Sequence, residues 1–175
     1  MSARGDRISA ANPRPAALLM ALGYAAGAVG LALGFSRLGD GGAEAVEPVC
    51  LFAVGVLGVV SFIRHSVFHR SDAARMKWDM GRTNNFQIEV GMANLAWGIV
   101  GLAAVAWDWG VAAQAAVTGV FGLYLLLAAL LHAGILVGGP ADGRSSAAAI
   151  APAAMGGLLT FFAVAALVNA SIEPF

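Results

Sequence analysis

Three histidines and one glutamate are the residues of this chain whose types and spacing could do chemistry. His65 and His69 stand four apart, the spacing that places two side chains on one face of a helix. His132 and Glu89 follow further along. Two imidazoles from one helix, joined by a third imidazole and a carboxylate from neighbouring helices, would form a nitrogen–oxygen ligand set suited to zinc or iron. Bundles build such sites from facing helices. Because histidine titrates near neutral pH, the same four groups could instead relay protons. A plainer reading is electrostatic: His and Arg favour helix C-termini, and Glu89 would then pair with Arg64, Arg70 or Arg82. Cys50 is the only cysteine, which excludes an internal disulfide and a thiolate-rich metal site. No phosphate-binding loop, nucleophile elbow or paired-histidine zinc motif occurs, so the motifs leave enzymatic activity unassigned and lean against it.

The elements that must position these groups follow from composition. Of the 175 residues 59% are hydrophobic and 11% charged, against about 45–50% and 25% in soluble domains. So few charges cannot cover a soluble core of this length, and the chain reads as an all-α integral membrane bundle. Ten basic residues balance ten acidic ones, which points to no nucleic-acid partner and leaves the lipid bilayer as the first one. Apolar stretches at 15–35, 47–67, 86–107, 111–137 and 147–169 each reach the about 20 residues a spanning helix needs. Residues 1–14 read as a loose N-terminal segment, and 15–175 as one transmembrane bundle. Pro15 suits the first turn of the first helix. Pro152, Gly156 and Gly157 loosen the first half of the fifth.

Five spans place Arg4, Arg7, Arg14, Arg64, Arg70, Arg75, Lys77, Arg82 and Arg144 on one side and Arg37 on the other. The positive-inside rule then sets a cytoplasmic N-terminus in a bacterial inner membrane. On this topology His65, His69, His132 and Glu89 lie near the cytoplasmic face. The basic loop 70–83 reads as an interfacial connector in which Ser71 or Asp72 could cap a short helix, with Met76, Trp78 and Met80 in the headgroup region.

Gly23, Gly27, Gly30 and Gly34 form a stripe of small residues along the first helix, a surface on which another backbone can approach closely. In the third helix Gln87, Gly91, Asn94, Gly98 and Gly101 share a face by helical periodicity, while Glu89 points the other way with Ala93, Ala96 and Val100. A helix with two such faces is expected to be central or to meet another subunit. Gln87 and Asn94 read as structural hydrogen-bonding residues of a polar site centred on Glu89, an intramembrane carboxylate and so a site candidate by default.

The block F-Q-x-E-x-G-x-A-N-L, Phe86 to Leu95, preceded by a basic loop with Trp78 and Gly81, resembles the hallmark of an uncharacterised bacterial family of polytopic membrane proteins, loosely similar to DoxX-like bundles. The resemblance spans about residues 62–102 and implies that Gln87, Glu89, Gly91 and Asn94 are signature positions. Where similar sequences often carry a proline, this chain has Thr83-Asn84-Asn85. Three function classes follow from the whole reading. A non-enzymatic membrane subunit or accessory protein, in a homo-oligomer or with a membrane-protein partner, is preferred. The alternatives are a metal- or cofactor-binding membrane enzyme using His65, His69, His132 and Glu89, and a small proton-coupled transporter.

Overall fold

The computed structural model describes residues 11–39, 42–76, 85–134 and 143–172, and for 143–148 and 172 the backbone path alone. Six helices carry the described chain: α1 (Arg14–Ser36), α2 (Gly42–Val67), α3 (His69–Met76), α4 (Asn85–Ala106), α5 (Gly110–His132) and α6 (Gly143–Ile172). Five helices are long and apolar enough to cross a membrane: α1, α2, α4, α5 and the Ala149–Ser171 part of α6. No strand occurs among the described residues. Expectations that rest on residues 1–10, 77–84 and 135–137, including Trp78, Met80 and Arg82, lie outside the described residues.

Local chemistry sets the boundaries. Pro15 occupies the first turn of α1, where a missing N–H is harmless. The second span was expected from residue 47; its helix begins at Gly42. Glu44 sits in its first turn, where a carboxylate complements the helix dipole. Pro48 lies inside the helix, and directly after this missing donor the ladder widens to a π-helical stretch over Val49–Val56. A second π-helical stretch, Ile63–Val67, closes with Phe68 N–H donating to Ile63 O at 2.9 Å. The fourth span ends at His132, because Gly134 takes a left-handed conformation (φ 74°) that stops the helix.

By its sequence pattern the third spanning helix, here α4, is expected to be central or to meet another subunit. The structure gives the central place to α2, which packs against α1, α4, α5 and α6. In the most apolar window of α2 56% of the residues are buried, against 28% in α4. Glycine makes this possible. A Cβ at Gly58 would sit 2.7 Å from Asn94 O and 2.8 Å from Gly98 Cα, so α2 and α4 meet backbone to backbone. Gly23, Gly27, Gly30 and Gly34 are all buried along α1; at Gly30 a Cβ would lie 2.8 Å from Pro48 O. In the most extensive pairing, α5 with α6, a Cβ at Gly156 would stand 2.7 Å from Gly122 O. Phe121, Leu159 and Phe162 fill the space between these contacts.

Candidate functional site

The chain carries its buried charge at the end of the bundle where α1 and α4 begin and α2 and α5 end. The short helix α3 builds it. Phe68 breaks the helical path after α2 (φ −100°, ψ 27°), and α3 sets off with Asp72 N–H donating to Phe68 O at 2.9 Å. Ser71 was considered as a cap; it is a clasp to the start of α1 instead. Its Oγ donates to Asn12 O at 2.6 Å and accepts from Ala16 N–H at 3.1 Å. Asn12 Oδ1 in turn accepts from Arg14 N–H at 3.0 Å.

Asp72 was also considered as a cap, and it is a fully buried carboxylate at the centre of a polar cluster. Its Oδ1 accepts from Arg75 Nε at 2.9 Å, one helical turn on. Its Oδ2 accepts from Gln87 Nε2 of α4 at 2.8 Å and lies 2.9 Å from His65 Nδ1 of α2. His65 Nε2 stands 2.6 Å from Arg64 Nη2. A guanidinium can only donate, so Nε2 accepts and the imidazole carries its proton on Nδ1, facing Asp72. Burial alone would push the Asp72 carboxyl up; the contact with His65 and the charges of Arg64 and Arg75 outweigh it and hold the carboxyl well below the usual carboxylate range. A carboxylate so held is a fixed charge that locks three helices together.

A second polar layer lies deeper. Asn94 Nδ2 donates to Val90 O at 2.8 Å and to the Tyr124 hydroxyl of α5 at 3.2 Å. Ser66 Oγ donates to Ile88 O at 3.2 Å beside the bare backbone of Gly91. The polar-and-glycine face of α4 is as the periodicity requires, with Gln87, Gly91, Asn94, Gly98 and Gly101 all buried.

The proposed metal ligands do not gather. Among the described residues no three of His, Cys, Asp and Glu are grouped to hold a metal ion. His65 turns to Asp72, while His69, beyond the break at Phe68, lies on another helix and directs Nδ1 to Ser66 O at 2.9 Å. The shared face that i, i+4 spacing gives depends on one unbroken helix, and the two residues do not have one. His132 ends α5 within electrostatic reach of Arg64, Arg75 and Asp72. Glu89 is exposed on the opposite face of α4, with Ala93 and Ala96 beside it. Asp72, assigned to a connector, holds the place given to Glu89. The sequence offered one signal for it: Asp72 stands three residues before Arg75, a helical ion-pair spacing.

Residues 15–140 match the family of unknown function DUF6790. The chain belongs to this family. No curated protein and no solved structure matches the chain. The DUF6790 match takes in Arg64, His65, Asp72, Arg75, Gln87, Asn94 and Tyr124, so the whole polar cluster lies in the part of the chain that the family covers.

Proposed function

We propose that this chain is a five-span protein of the bacterial inner membrane with its N-terminus in the cytoplasm, acting as a non-enzymatic membrane subunit or accessory protein. One observation carries the membrane reading: large apolar side chains cover the outside of the bundle, while several polar ones are held inside it. Leu18, Leu22, Ile99, Leu123, Leu127 and Phe161 are exposed, while Asp72, Gln87, Asn94, Gln114 and Thr118 are buried. An apolar exterior of this extent is costly in water and favourable in hydrocarbon. Among the described residues Arg14, Arg64, Arg70 and Arg75 fall at the end that holds Asp72 and Arg37 at the other, which supports a cytoplasmic placement of the Asp72 end.

The subunit reading rests on α4. Its outer face presents Glu89, Ala93 and Ala96, small residues on which another membrane helix can pack and a carboxylate that lipid alone solvates poorly. The Asp72 carboxylate is not left over for acid–base work, since both its oxygens are engaged by the chain's own donors. A photo-cross-linking side chain at Ala96 tests this reading in the membrane. A protein adduct there, with lipid adducts only at Leu127 on the outer face of α5, is the expected result. Lipid adducts alone at both positions would overturn it.

A further inference from the structure

We propose that Arg64, with Tyr24 and Tyr124, forms a site for an anionic group of the phosphate or carboxylate class, a role beyond the structural one just assigned to the cluster. Arg64 and Arg75 bring two positive charges to the cluster, Asp72 brings one negative charge, and His65 is neutral in the tautomer that its contacts require. The described cluster is therefore one negative charge short. Arg75 faces Asp72 directly. Arg64 does not: its Nη2 donates to neutral His65, and its buried Nε has no acceptor among the described residues. An unmatched cation in a low-dielectric bundle is costly enough to call for a counter-charge.

The neighbours of Arg64 are donors as well. Tyr24 of α1 and Tyr124 of α5 both lie within its electrostatic reach. Tyr124 accepts from Asn94 Nδ2 at 3.2 Å, which leaves the phenolic hydrogen free to donate. Three donors from three helices, one of them cationic, stand near one another, and the carboxylate nearest them among the described residues, Asp72, is already engaged. Such a set is complementary to an oxyanion. Arg64, Tyr24 and Tyr124 are each half-buried. By helical rise Arg64 lies about 5 Å from the end of α2 and Tyr124 about 12 Å from the end of α5. Arg64 therefore stands between the end of α2 and the level of the polar layer at Asn94.

Such an oxyanion could be a lipid headgroup phosphate or a free anion, and one experiment separates the two. Purified, delipidated full-length protein in a neutral detergent is heated with inorganic phosphate, with acetate, with short-chain phosphatidylglycerol or with short-chain phosphatidylcholine. A saturable rise of the unfolding midpoint with phosphate or acetate assigns a free anion; a rise with phosphatidylglycerol alone assigns an anionic headgroup. In either case Arg64→Gln abolishes the rise, and Tyr24→Phe and Tyr124→Phe each weaken the apparent affinity about tenfold, the loss of one charge-assisted hydrogen bond. The phenylalanine variants keep the test decisive if Arg64→Gln fails to fold. No rise with any of the four probes would overturn the proposal, as would a rise that the two phenylalanine variants leave unchanged.

Discussion

Replacing Asp72 with Asn removes the charge and keeps the shape, and the structure sets what this should cost. Three groups lose a carboxylate partner: Arg75 at 2.9 Å, Gln87 at 2.8 Å and His65 at 2.9 Å. Removing one member of a buried ion pair typically costs about 3–5 kcal/mol, because the partner charge stays behind unmatched. The new amide still accepts from Gln87, and Arg75 is partly exposed, so the expected loss is about 3 kcal/mol, the lower end of that range. Gln87→Leu deletes a single hydrogen bond to a charged group and should cost about 1.5–3 kcal/mol. Reversible unfolding in mixed micelles, followed by tryptophan fluorescence, measures both. Glu89→Gln is the control: Glu89 is exposed, and its change should stay within about 0.5 kcal/mol. A double cycle of Asp72→Asn with Arg75→Gln should show coupling of about 1–3 kcal/mol. Equal losses for Asp72→Asn and Glu89→Gln, or no loss for Asp72→Asn, would refute the assignment of Asp72 as the central charge.

Gly58→Ala should destabilise by about 1–3 kcal/mol through overpacking, since its new methyl would meet the backbone of Asn94 and Gly98. Gly157→Ala, with open space around it, should be neutral or stabilise by up to about 1 kcal/mol from helix propensity; the same micelle unfolding assay distinguishes them. Acid should act through Asp72. Because its folded value is depressed, its contribution is fully present above the ordinary carboxyl value of 3.8 and is lost as pH falls below that toward the folded value. Unfolding midpoints measured downward from pH 5 should therefore decline more steeply in the parent protein than in Asp72→Asn.

The sequence was legible where one periodicity governs many residues. Apolar runs of membrane length located the five long helices, and helical spacing alone placed Gln87, Gly91, Asn94, Gly98 and Gly101 on the buried face of α4. The glycine stripe of α1 was readable for the same reason: four like residues repeat on one face. Prediction from pattern lost its grip where the path breaks. Phe68 ends one helix and starts another, so His65 and His69 part company despite their spacing. Asp72 was hidden because α3 has no apolar face to announce it; five of its eight residues are polar, and His65 and Gln87, which meet Asp72, come from other helices. The central position of α2 likewise depends on contacts between helices distant in sequence. Gly55 and Gly58 carry that signal only once the partner glycines of α4 are known.

The account rests on the end that holds Asp72 facing the cytoplasm, and single-cysteine labelling in spheroplasts tests that directly. In a Cys50→Ala background, Gly39→Cys lies in the open turn after α1 and Arg70→Cys on the exposed side of α3. A membrane-impermeant maleimide should label the cysteine at position 39 in intact spheroplasts and the one at position 70 only after lysis. The reverse pattern would contradict the orientation, and labelling of both before lysis would contradict the membrane-spanning bundle itself.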